Sequence, residues 1–177
     1  SVEAANERLK ELGREPIAHE AESESEVACG CDDQPATVAT FSGCPGGGPG
    51  DMHPNWVTCP WPPDFSRTVA WQWEEVMIPY WQETAKFAAD RGVQMAIEMH
   101  PGFCVYNAAT ALALRQAVGE TIGFNFDPSH LFWQGADPSK VIRALGDSIF
   151  HFHAKDTKIA PINTPVNRVL DNTSYAA

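Results

Sequence analysis

From residue 94 onward the chain alternates strand, helix, strand, helix, strand with short connections, and that order leaves few folds open. Residues 94–99 read as a strand, 108–118 as a helix between Asn107 and Gly119, and 121–126 as the next strand. Asp137-Pro138 opens a second helix in the cap-then-proline order, Gly146 ends it, and 148–154 form a third strand. Parallel strands need crossover connections, so the series calls for a parallel sheet covered by helices.

Upstream the pattern is looser. Residues 36–41 (ATVATF) are a β-prone run closed by Ser42-Gly43. A loop rich in Pro and Trp then runs to Pro63. Asp64 is placed to cap a helix carrying Val69, Trp73, Val76, Tyr80, Ala85 and Ala88 toward Gly92, which Pro79 must kink or divide. Val2, Ala5, Leu9 and Leu12 lie at helical spacing before Gly13, and from Arg14 to Pro35 the pattern fails, with an acidic, Ser-interrupted run at 20–26. After Asp156, Pro161 and Pro165 interrupt a stretch without period, which reads as loop. The chain therefore divides into a poorly patterned segment, 1–35, and a patterned domain, 36–177.

Composition excludes several classes. Hydrophobic residues are 44% and charged ones 20%, as in ordinary globular domains. No apolar run approaches the roughly 18 residues that span a bilayer. The net charge of −11, from 12 basic and 23 acidic residues, repels phosphate backbones, so neither nucleic acid nor membrane is an expected partner. Ser1 to Glu7 lack the regions of a secretory leader, and five cysteines are an odd number, which together favour free thiols and a reducing, cytoplasmic location. Cys29-Gly30-Cys31 is too tight for a zinc-finger hairpin. Gly46-Gly47-Gly48-Pro49-Gly50 lacks the Gly-Lys-Ser/Thr ending of a phosphate loop.

Chemistry concentrates at strand ends. Each of the three later strands finishes with two polar residues at alternate positions: Glu98 and His100, Asn125 and Asp127, His151 and His153. Residues two apart share a face, so Met99, Phe126 and Phe152 point the other way. The carboxyl ends of parallel strands are where α/β active sites form. Clustered carboxylates repel unless a cation intervenes, and two carboxylates with one imidazole form a mixed oxygen and nitrogen site suited to Mn²⁺, Mg²⁺ or Co²⁺. The remaining His and Asn can orient ligands or bind substrate oxygens.

The segments Ile97-Glu98-Met99-His100-Pro101-Gly102, Asn125-Phe126-Asp127-Pro128-Ser129-His130 and His151-Phe152-His153-Ala154-Lys155-Asp156 resemble the sugar phosphate isomerase/epimerase family of the xylose isomerase-like TIM-barrel superfamily. The stretches from Thr40 to Gly46 and from Pro54 to Pro62 are similar to that family's fourth strand and following loop. The resemblance implies an α/β (β/α)₈ barrel, partial in this chain with about strands 4 to 7 present, and one divalent metal, commonly Mn²⁺ with Mg²⁺, Co²⁺ or Zn²⁺ as alternatives. It implies Glu98, Asp127 and His153 as metal ligands and His130 as a contact to substrate oxygens. Glu98 would also move a proton beside a carbonyl, through a metal-stabilised enediolate. His130 and Lys155 would steady an oxyanion, with Lys155 pairing with Asp156 as the other reading. The family's further Glu ligand on an eighth strand has no counterpart as far as Ala177, Arg14 to Pro35 shows no clear third strand, and the first two strand units have no counterpart.

His100 and Asn125 are expected to face substrate, as are the loop aromatics Trp56 and Trp61, with Phe132 and Trp133 closing the same pocket; Trp71 and Trp73 fall on a helix and read as packing. The expected function is isomerisation or epimerisation of a small sugar, keto-sugar or sugar phosphate, with a homo-oligomer left open. Its rivals are a keto-sugar lyase or eliminase at the same site, an endonuclease IV-like phosphodiesterase, which the acidic charge disfavours, and a barrel fragment that binds metal without turnover.

Overall fold

Four strands, β1 (Ala36–Phe41), β2 (Val93–Glu98), β3 (Ile122–Phe126) and β4 (Ile149–Phe152), form one parallel sheet in a computed structural model that describes residues 35–162 and 164–170. The expected helix near 2–12, the acidic run and Cys29-Gly30-Cys31 lie outside the described residues. The sheet order is β1-β2-β3-β4, each strand beside its successor. An unreversed order is the winding of a barrel wall, whereas a doubly wound sheet reverses at a switch point. The arc is therefore an incomplete (β/α)₈ barrel of four described strands.

The crossover between β1 and β2 holds two helices, α1 (Pro63–Trp71) and α2 (Ile78–Ala89), joined by a π-helical segment, Gln72–Met77. The division that Pro79 demands falls in that π segment, and Pro79 sits in the first turn of α2, where no N–H is needed. Asp64 does not cap α1 as expected. Pro62 holds the cap position without a side-chain bond, and Asp64, inside the first turn, pairs with Arg67.

The next two crossovers are α3 (Ala108–Val118) and the pair α4 (Ser129–Phe132) and α5 (Pro138–Leu145). Asn107 and Thr110 cap α3 reciprocally: Thr110 N–H donates to Asn107 Oδ1 at 2.9 Å, and Asn107 N–H donates to Thr110 Oγ1 at 3.1 Å. Gly119, at φ 103, ends the helix in a conformation that a side chain would strain. Asp137 Oδ1 accepts from Ser139 N–H at 2.9 Å and opens α5.

A short helix, α6 (Thr164–Asn167), stands in the stretch beyond Asp156 that reads as loop, and α4 follows β3 where the sequence pattern marks no element. Four-residue turns carry too few positions to show a period. Among the described residues, no helix is long and apolar enough to cross a membrane.

The sheet faces divide as the alternation requires. Ile97, Met99, Ile122, Phe124 and Phe126 join Met77, Trp81, Ala85, Ala111 and Leu114 in one core between strands and helices. The opposite, barrel-interior face carries Glu98, Asn125 and Asp127. A register shift leaves Phe150 as an extra residue between the pairs Phe124–Ile149 and Asn125–His151. Its ring covers Gly123, where a Cβ would approach within 2.3 Å.

Candidate functional site

The end of β2 brings Glu98, and the end of β3 brings Asn125 and then Asp127, side by side on one face of the sheet. The register pairs Glu98 with Asn125, and all three residues are buried. Asn125 Nδ2–H donates to Glu98 Oε2 at 2.8 Å. That bond fixes which way the amide faces and leaves Asn125 Oδ1 buried without a partner. Two imidazoles flank the carboxylates. His130, on α4, places Nε2 2.9 Å from Glu98 Oε1 and 3.5 Å from Asp127 Oδ2. His153, just past β4, places Nδ1 3.2 Å from Glu98 Oε2 and 3.8 Å from Asp127 Oδ2.

Asp127 is fully buried, yet its carboxyl is held below the usual range. Burial pushes it up, but hydrogen bonds from Ser129 and the Lys155 ammonium outweigh that effect. Ser129 N–H donates to Oδ1 at 2.9 Å. Lys155 Nζ lies 2.9 Å from Oδ2, an ion contact off the line of a regular hydrogen bond. Lys155, which the sequence offered either as an oxyanion contact or as a partner of Asp156, thus reaches Asp127 across the sheet. His130 is held below the ordinary imidazole range by burial and by the neighbouring His100, whose ring centroid is 4.1 Å away; the two carboxylates only partly oppose this. This favours the neutral imidazole, whose Nε2 lies within hydrogen-bond distance of Glu98 Oε1. His100 Nδ1 is 2.6 Å from the Pro101 carbonyl, which can only accept, so Nδ1 carries the proton there.

The donor set fits a divalent cation. Glu98, Asp127 and His130 each offer a ligand atom, all within 4.8 Å of one another, and Asp127 Oδ2 and Asn125 Oδ1 are buried acceptors without an aligned donor. Of the expected ligands the group holds Glu98 and Asp127, and its imidazole is His130, which the sequence suggested for substrate, while the expected His153 contacts the same carboxylates from outside the group.

Beside the centre opens a cavity of about 550 Å³ lined by Trp56, His100, Pro101, His130, Trp133, Val169 and Leu170. Trp61 is not among these residues and is 74% exposed; Phe132 does not line the cavity either. Val169 and Leu170 were not foreseen, because a segment without period gives no signal of where the chain returns. Trp56 packs edge-on against Tyr106, and its indole N–H is buried without a partner.

The loop that carries Trp56 is pinned by Gln72, whose Nε2 donates to the carbonyls of Pro45, Gly46 and Asn55 at 2.7–3.0 Å. Ser42 ties the start of that loop to the next one: its Oγ accepts from Val105 N–H at 3.0 Å, and its carbonyl accepts from the Trp81 indole at 3.0 Å. Sequence reading gave Gln72 no role, since a Gln in a helix is unremarked until its carbonyl partners are in view.

A model of the family described as "Xylose isomerase-like TIM barrel" matches residues 7–168. The uncharacterized protein YfiH of Bacillus subtilis (strain 168) is 45% identical over 137 residues, which cover 76% of this chain and 44% of that protein. The chain thus spans less than half the length of that curated relative. A solved xylose isomerase domain protein from Planctomyces limnophilus aligns with a TM-score of 0.41 at 24% identity, over 63% of this chain and 36% of that one.

Proposed function

The chain belongs to the xylose isomerase-like TIM barrel family, and from that premise we propose that it is a divalent-metal-dependent isomerase or epimerase of a small sugar, keto-sugar or sugar phosphate, acting in the cytoplasm. One observation supports this above the rest: two buried carboxylates and two imidazoles converge at the carboxyl ends of neighbouring strands, beside a cavity with aromatic walls. Mn²⁺, Mg²⁺ or Co²⁺ suits the mixed oxygen and nitrogen donors, and the family resemblance favours Mn²⁺. When bound, such an ion supplies the charge that polarises a carbonyl and stabilises the negative charge that builds on its oxygen.

The protein's own groups supply the rest. Glu98, Asp127 and His153 hold the ion, with His130 within reach of the same carboxylates. Glu98, oriented by Asn125 and His130, moves the proton at the carbon beside the carbonyl. His130, favoured in its neutral form, offers a hydrogen bond to a substrate oxygen from the cavity wall. His100 faces the same cavity, and Trp56 and Trp133 present flat rings to the C–H faces of a sugar. Lys155, beside Asp127, contributes positive charge to a developing oxyanion.

The test uses the chain as it stands, loaded with Mn²⁺ and offered a panel of ketoses and ketose phosphates in D₂O. The expected result is deuterium incorporation beside the carbonyl, seen by proton NMR, and its loss in Glu98→Gln. Exchange that survives Glu98→Gln, or no exchange into any member of the panel, defeats the assignment. Three zinc ions per chain by elemental analysis would replace it with phosphodiester chemistry.

A further inference from the structure

The metal centre has a cation of its own. Asp127 is fully buried, and a buried carboxylate needs a counter-charge. Imidazoles supply one only when protonated, whereas a lysine ammonium is charged throughout the neutral range. Lys155 Nζ sits 2.9 Å from Asp127 Oδ2, closer to that oxygen than His130 at 3.5 Å or His153 at 3.8 Å. That same oxygen is the buried acceptor without an aligned donor. Lys155 reaches it from outside, its side chain 56% exposed.

Resting on the metal reading above, we propose that the Lys155 ammonium is the resident counter-ion of Asp127 and that a divalent metal displaces it. Two cations on one carboxylate oxygen repel, and the divalent ion carries the larger charge. The backbone around the lysine is tied down: His153 N–H donates to the Phe126 carbonyl at 3.0 Å, and Lys155 N–H donates to the His153 carbonyl at 2.9 Å, closing a three-residue turn. The exchange is therefore a swing of the flexible four-carbon side chain, with the strand end and His153 held in place. Lysine suits the task because its ammonium is a point charge that one rotamer change removes, where a forked guanidinium would stay bidentate. In the metal-free protein the lysine balances the buried charge of Asp127. In the loaded protein its charge is returned to the open side of the site, where an anionic substrate oxygen arrives.

Two measurements test this, with Mn²⁺ alone as the probe and its binding followed by the free-ion EPR signal. In the first, the intact chain is acetylated briefly with and without Mn²⁺, and each lysine is scored by peptide mass spectrometry. Labelling of Lys155 should rise several-fold on loading, while Lys86 and Lys140, on distant helices, stay constant. Bound Mn²⁺ with unchanged Lys155 labelling overturns the proposal and leaves the metal reading intact. In the second, Lys155→Met should bind Mn²⁺ about tenfold more tightly, because a competing charge is gone. Lys158→Met removes an equal charge from the same segment and should leave affinity unchanged. Equal tightening in both variants, or none in Lys155→Met, also overturns the proposal. If the intact chain binds no Mn²⁺ at all, the metal reading fails and this one falls with it.

Discussion

β3 and β1 are both short parallel strands rich in small and apolar residues, yet every residue of β3 is buried while in β1 only Thr40 is even half-buried. Among the described residues β3 has a strand on each side and β1 has β2 alone. Position in the sheet, rather than composition, decides burial. The same gradient runs through the site. Glu98, Asn125 and Asp127, on the inner strands, are buried, while His153 and Lys155, past the outer strand β4, reach the carboxylates from more open ground. The carboxylate half is built into the core, and the basic half meets it from the more open side.

The comparison can be broken or sharpened by substitution. The largest expected effect is at the centre: Phe124→Ala opens a cavity in the core and should lower unfolding free energy by about 3–5 kcal/mol in urea titration. Val38→Ala, on exposed β1, should change it by less than about 0.5 kcal/mol. Similar losses at both positions would mean that β1 is as well packed as β3. Next comes Gly123→Ala, whose new methyl meets the Phe150 ring at 2.3 Å and should cost about 1–3 kcal/mol by the same measurement. Much of that loss should return when Phe150→Leu is added, if the ring alone is the obstacle.

A smaller effect is expected at the head of α3, where Asn107→Ala removes the cap acceptor for Thr110 and should cost about 1 kcal/mol in thermal unfolding. The smallest concerns reactivity without loss of stability. Burial pushes the Cys104 thiol up to about 12, so its reactive thiolate is scarce at every lower pH. A thiol reagent at pH 8 should label exposed Cys59 and spare Cys104 until the pH nears that value or the protein unfolds. Rapid labelling of Cys104 at pH 8 would show that this part of the core opens.

Much of the fold was legible because its signals are local. Asn107, Gly119, Asp137 and Gly146 act on their own helix ends, and each stands where the spacing places it. Alternation put Glu98, Asn125 and Asp127 on one face and Met99 and Phe126 on the other, since a strand fixes that phase without help from its neighbours. Asp64 misled because an acidic residue serves a first turn as well as a cap, and Arg67 one turn on takes its charge. Trp61 was grouped with Trp56 on loop position alone, and no periodicity in a Pro-rich loop says which ring turns inward.

The sequence by itself determined the parallel winding, the helix ends and the chemical character of the strand ends, all of which rest on residues a few positions apart. Tertiary structure alone decided that both His130 and His153 reach the carboxylates, that Lys155 pairs with Asp127, that Phe150 covers Gly123, and that Val169 and Leu170 return to wall the cavity. Those outcomes depend on register between strands, on one extra residue in β4 and on where a distant segment packs. Distances across a sheet are set by every element between the two residues, and no local pattern encodes them.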